Sequence, residues 1–138
     1  MKSYRELDVW QVAMELAEQI HSSTKDFPKE EMFGLKSQIR RAAYSVPSNI
    51  AEGFGRGHTK EFIQFLNTAN GSLSETETQL TLAVKFKYIP RDEAVKIWEL
   101  TQRIGMMLNK LKKALQKRLK NKISSRTTNH EPLTTKNV

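Results

Sequence analysis

Lys96, Arg103, Lys110, Lys113, Lys117 and Lys120 recur at steps of seven, seven, three, four and three, a spacing that sets them along one side of a helix. A row of cations can do one kind of chemistry: it neutralises successive phosphates of a polyanion and releases the counterions condensed on them. From Arg103 to Arg126 the chain has nine Lys or Arg and no Asp or Glu, whereas residues 1–102 hold thirteen basic and fourteen acidic side chains. The net charge of +8 therefore belongs to one stretch. A solvated helix face ordinarily mixes signs, and like charges four residues apart cost helix stability. Polyanion binding is thus favoured over a merely solubilising face. Arg103, Lys110, Lys113, Lys117, Arg118 and Lys120 are the expected phosphate contacts. No aromatic residue lies within the run, so stacking on single-stranded bases is not indicated there.

Other residue groups invite chemistry and are read as structural. Gly53-Phe54-Gly55-Arg56-Gly57 has neither the preceding strand of a dinucleotide loop nor the Gly-Lys-Ser/Thr ending of a phosphate loop. It reads as a helix stop and turn. Glu18-x-x-His21 has the spacing of half a di-iron site, but no second Glu-x-x-His exists, so His21 reads as a cation-friendly group near a helix C-terminus. His58 with Glu61 could exchange a proton with a substrate. Glu52, Glu75 and Glu77 could act as paired carboxylates, though bundle helices more often carry such groups in ion pairs. With three histidines and no cysteine, neither a triad nor a thiolate zinc site assembles. No catalytic residue, metal or cofactor is expected.

Four amphipathic helices account for the positions of these groups. The first opens at Asp8 with Gln11 three residues on, a capping-box pattern. Val9, Ala13, Leu16 and Ile20 form its apolar face, and Trp10, Met14 and Ala17 add a second row. Pro28 is placed to begin the second helix, which carries Leu35, Ile39, Ala42, Ala43, Val46, Ile50 and Phe54. Pro47 removes a backbone donor inside it. Either the helix kinks there, or it ends and restarts with Ser45 as a cap; the unbroken apolar phase favours the kink. Thr59 caps the third helix, where Phe62, Leu66, Ala69, Leu73, Thr76, Leu80 and Ala83 alternate steps of four and three, the pattern of a bundle seam. The fourth starts near Asp92 and carries Ile97, Leu100, Ile104, Leu108, Leu111 and Leu115 to about Leu119. Short connections make neighbours antiparallel, so the expected fold is an all-α, up-down-up-down four-helix bundle over 1–119. Residues 120–138 offer almost nothing to bury and read as a basic, disordered tail.

At 138 residues the chain is one domain long. It has no run apolar enough for a membrane span or a secretory signal, so no membrane partner and a cytoplasmic setting are expected. The surplus apolar rows point to a homo-oligomer: Trp10, Met14 and Phe65 exceed what one bundle buries.

Ser45-Val46-Pro47-Ser48-Asn49-Ile50-Ala51-Glu52-Gly53, followed by Gly55-Arg56, forms the most specific motif. Glu61-Phe62, Phe65-Leu66, Ala69, Gly71-Ser72, Glu75, Glu77 and Gln79-Leu80 follow it, and Tyr4, Leu7, Val9 and Trp10 precede it. Together, over about residues 3–118, they resemble the four-helix-bundle proteins of the ribosomal-RNA intervening-sequence family, also called S23 ribosomal proteins. The resemblance implies an antiparallel four-helix protomer, a homopentamer and an association with nucleic acid without a catalytic site. A related branch, the accessory proteins of diversity-generating retroelements, implies an alternative: an adaptor that engages a reverse transcriptase.

Overall fold

The computed structural model describes residues 2–134, with side chains through Ser125. Four helices follow a short 3-10 turn at Tyr4–Glu6: α1 (Asp8–Ser23), α2 (Leu35–Gly55), α3 (Thr59–Lys85) and α4 (Arg91–Thr134). Each helix packs on its two neighbours in a closed square. α1 touches α2 and α4, α3 touches α2 and α4, and among the described residues the backbones of neither diagonal pair come close. The chain is thus the expected all-α, up-down-up-down four-helix bundle.

The core follows the apolar spacing. Ile20, Ile39, Ile50, Leu66, Ile97 and Ile104 are fully buried, one or two from each helix. In α3 every seam residue from Leu66 to Ala83 is buried, and Phe62 is half-buried. Thr24, Thr76 and Thr101 enter the core because their hydroxyls find partners. Thr24 Oγ1 donates to the Ile20 carbonyl at 2.7 Å and Thr76 Oγ1 to the Ser72 carbonyl at 2.9 Å.

The ends of the helices depart from the expected signals. Asp8 is the first residue of α1 rather than its cap; the capping box is made one turn earlier by Ser3 and Glu6. Gln11 instead reaches back to the Arg5 carbonyl at 2.9 Å. Pro28 does not begin α2 but precedes a 3-10 turn at Lys29–Glu31, and Gly34 separates that turn from Leu35. α2 then continues through Pro47 without ending or restarting. α4 outruns its apolar stripe. The last buried side chain is Leu115, every side chain from Gln116 to Ser125 except Leu119 is exposed, and the helix still continues to Thr134. Once nucleated, a helix gains one hydrogen bond for each residue added and needs no core to do so. The stretch expected to be disordered from 120 is therefore helical as far as Thr134; residues 135–138 lie outside the described residues.

Glu31 ties the start of α2 to the turn between α3 and α4. Its Oε1 accepts from the Leu35 N–H at 3.0 Å and its Oε2 from the Tyr88 hydroxyl at 2.8 Å. The Leu35 bond first and the Tyr88 bond second hold the Glu31 carboxyl below its ordinary pKa. The same carboxylate raises the Tyr88 phenol, with burial and Glu30 adding to it. Because the folded pKa of Glu31 is depressed, its contribution is present above the ordinary carboxylate range and lost as pH falls through the folded value. Tyr88, shifted upward, contributes fully below its ordinary pKa and loses that contribution as pH rises through the folded one. We expect Glu31→Gln to flatten the acid limb of a melting-temperature-against-pH curve and to lower the plateau at neutral pH. An unchanged acid limb would remove Glu31 from the account of acid stability.

Candidate nucleic-acid interface

α4 presents two faces because its sequence carries two rows. Ile97, Ile104, Leu108 and Leu115 are buried against the other helices. At 3.6 residues per turn, Arg103, Lys110, Lys113, Lys117 and Lys120 fall on the opposite side, and each is exposed. Arg118, the residue after Lys117, is turned about 100° from that row and is exposed as well. Among the described residues the ion pairs are those of Arg56, with Glu52 at 2.8 Å and with Glu61 at 3.9 Å. The row therefore carries no ion pair. Asp92 and Glu99 share its N-terminal end, so its uncompensated part begins at Arg103. Lys112 differs from its neighbours: its Nζ crosses to α3 and donates to Asn67 Oδ1 at 2.9 Å.

Beside this row, the seam between α3 and α4 is furrowed. Near Gly105 the furrow holds about 360 Å³ and is lined by Asn70, Ser74, Glu77, Gln102, Asn109 and Lys112 among others. Glu77 Oε2 accepts from Thr101 Oγ1 and from Gln102 Nε2, each at 2.7 Å. Toward the start of α4 lies a second hollow of about 310 Å³, walled in part by Leu80, Val84, Ala94 and Trp98. Trp98 is 50% exposed there. Reading the sequence by charge alone missed Trp98. Its signal was present, since Trp98 sits out of phase with the Ile97–Leu115 face and so could not enter the core.

Of the other singled-out residues, some have partners within the fold and others are simply exposed. Arg56 gathers Glu52 and Glu61 and lies over the Phe65 ring at 5.1 Å. His58 precedes the first turn of α3 and is exposed. His21 Nδ1 lies 2.9 Å from the Tyr44 hydroxyl, and Glu18 beside it is exposed. Glu75 is exposed too. Among the described residues no three His, Asp or Glu side chains come together as a metal would require, and no helix is long and apolar enough to cross a membrane.

The motif around Pro47 builds the contact between α2 and α3. Ser45 Oγ lies 2.6 Å from Ser72 Oγ, and Asn49 Nδ2 donates to the Ser45 carbonyl at 2.8 Å. Gly53 is buried in the last turn of α2, two residues before the helix ends at Gly55. A Cβ there would meet Phe65 Cβ at 2.6 Å and Phe62 Cδ1 at 3.0 Å. Gly57, with φ of 76°, is the glycine that makes the turn.

A third surface lies between α1 and α2. It is a groove of about 690 Å³ bordered by Tyr4, Trp10, Met14, His21, Tyr44 and Pro47 among others. Trp10 is half-buried, with its ring 5.2 Å from that of Tyr4, and Met14 is 37% exposed. Phe65 is half-buried on α3.

The profile of the 23S rRNA-intervening sequence protein family matches residues 5–110. Among solved structures, the chain is similar to a protein with unknown function from the S23 ribosomal protein family of Bacteroides thetaiotaomicron. The two share 27% identity with a TM-score of 0.70, over 76% of this chain and 95% of that one. No curated protein matches.

Proposed function

The chain belongs to the 23S rRNA-intervening sequence protein family, and from that premise we propose that it is a non-enzymatic, homo-oligomeric scaffold that binds RNA or DNA through α4. One observation carries the proposal: a row of exposed cations from Arg103 to Lys120, free of ion pairs among the described residues, on a helix that continues past the last buried side chain. Helix surfaces built only for solubility compensate such a row with acids. A polyanion does so from outside, and each phosphate contact releases counterions. Binding to random-sequence RNA and DNA, titrated with salt, is the test. A steep negative slope of log K against log salt is expected for both. Binding to neither would leave the rival reading, in which the same charge meets an acidic protein surface such as that of a reverse transcriptase.

The oligomer rests on apolar surface. The α1–α2 groove leaves Trp10 and Met14 partly uncovered, and Phe33, in the connection before α2, is 91% exposed. A groove and an apolar knob on different parts of one chain suit a head-to-tail contact, which closes into a ring when its rotation allows; the number five is carried by the family resemblance. Light scattering at micromolar concentration should return a multiple of 15.9 kDa, and Met14→Arg should shift it toward the single-chain mass. A monomer would remove the oligomer from the proposal.

A further inference from the structure

We propose that the hollow walled by Trp98, at the head of the α3–α4 furrow, is a stacking site for one base of a single-stranded nucleic acid whose backbone then runs along the cations of α4. This rests on the reading of α4 as a nucleic-acid surface and adds the strand type. The indole is half exposed, although a tryptophan on a bundle helix normally turns its large apolar area inward. Among the described residues it makes no ring contact with another aromatic, and its Nε1 makes no hydrogen bond. The hollow it walls holds about 310 Å³, at the small end of ligand pockets and suited to one planar ring.

The charge around the hollow selects the occupant. Lys85 and Arg91 belong to its lining, both exposed and, among the described residues, neither in an ion pair. An apolar wall edged by two cations fits a base joined to phosphates better than the apolar core of a protein partner, where unpaired charge is costly to cover. From Trp98 the same side of α4 passes Gln102, Asn109 and Lys113 before reaching Lys117 and Lys120, with no carboxylate of α4 on the way beyond Glu99, which adjoins Trp98 in phase with Lys117. Trp98 and Lys113 are fifteen residues apart, about 22 Å along the helix, a distance that a few nucleotides of extended strand can span. The amides of Asn70, Gln102 and Asn109 line the furrow between these points and can hydrogen-bond base edges. Beyond Glu99, the carboxylate on this path is Glu77 of α3. Thr101 and Gln102 hold its Oε2, and its charge keeps phosphates on the α4 side of the seam. A duplex, with its bases stacked internally, cannot place one in the hollow.

The experiment uses the full chain, a 20-nucleotide oligo(dT) and a DNA duplex of the same length. The chain has two tryptophans, so a Trp10→Phe background isolates the fluorescence of Trp98. Oligo(dT) should quench that fluorescence, and the duplex should leave it unchanged. Trp98→Ala should weaken oligo(dT) binding by roughly 5- to 150-fold, the equivalent of about 1–3 kcal/mol for one stacked base. Duplex affinity and the salt slope should stay those of the parent, and Trp98→Phe should recover most of the loss. If the parent binds both probes in a salt-dependent way and Trp98→Ala binds oligo(dT) equally well, the stacking site is overturned while the α4 reading stands. If Trp98→Ala instead changes the mass seen by light scattering with oligo(dT) binding unchanged, the hollow is a protein contact and the proposal is likewise overturned. If the parent binds neither probe, the α4 reading itself fails and takes the stacking site with it.

Discussion

Reversing Lys110, Lys113 and Lys117 together to glutamate should weaken RNA and DNA binding by on the order of a hundredfold or more at about 0.1 M salt. The size follows from counterion release: each phosphate contact adds about 0.9 to the negative slope of log K against log salt for duplex DNA and about 0.7 for single strands. Losing three contacts flattens the slope by roughly two to three units and removes a factor of about five to eight per contact at that salt concentration. The three introduced carboxylates then repel what the lysines attracted. The loss should be nearly equal across sequences, because phosphate contacts position a strand without reading it. The bundle should survive, since all three side chains are exposed and fall opposite the Ile104, Leu108 and Leu115 face. Helicity measured by circular dichroism is the control. Deleting residues 121–138 removes Lys122, Arg126 and Lys136 alone among the basic residues and should cost less. A folded triple variant that binds like the parent, with the same salt slope, would reduce the row to a solvated face.

The shape of α4 sharpens that expectation. The helix has 44 residues, about 66 Å at 1.5 Å per residue, while α3 beside it has 27. The excess leaves the bundle at the end where Leu115 is the last buried side chain. Lys117, Arg118 and Lys120 thus stand on a helix with little protein beside it, whereas Arg103 and Lys110 stand on the bundle wall. A strand that follows the whole row must touch both parts. Shortening the projecting helix should therefore reduce the salt slope in steps as each lysine goes, rather than abolish binding at one point.

How far this could be read from the sequence depended on what each residue has to bury. Apolar periodicity gave all four helices, because a helix that fails to bury Leu66, Leu73 or Ile104 has no stable place in a small domain. It set the limits of the bundle less well. Pro28 and Asp8 carry strong start signals, yet the helices begin at Leu35 and with Asp8 already inside. At α2 the first N–H was taken by Glu31 through Leu35, and ahead of α1 the capping box Ser3–Glu6 closes a separate 3-10 turn. The basic row was legible because charge spacing needs no tertiary knowledge. The furrow was not, since it is made by two helices at once and its Glu77, Thr101 and Gln102 contacts join residues some 25 positions apart. Gly53 was read as part of a helix stop; only the approach of α3 shows that it is a packing residue.

That approach makes Gly53→Ala the most informative stability variant. In an exposed helix interior, alanine in place of glycine gains about 1 kcal/mol. At Gly53 the new Cβ would lie 2.6 Å from Phe65 Cβ and 3.0 Å from Phe62 Cδ1. Phe65 Cβ is anchored directly to the backbone of α3 and cannot swing aside as a side-chain tip would. Relief requires α2 and α3 to part, and this is the contact that also carries the Ser45–Ser72 pair at 2.6 Å. Overpacking of this kind costs about 1–3 kcal/mol, and here it opposes the gain in helix propensity. The expected result is a net loss of stability for Gly53→Ala and a larger one for Gly53→Val, read as a lower urea midpoint with little change in slope. Gly71→Ala supplies the opposite sign. Gly71 is exposed within α3, and a Cβ there meets nothing within 4 Å, so the substitution should stabilise by up to about 1 kcal/mol. The pair of variants separates close packing from general intolerance of glycine substitution. If Gly53→Ala were as stabilising as Gly71→Ala, the two helices would not be in the close contact that places α3 against α2.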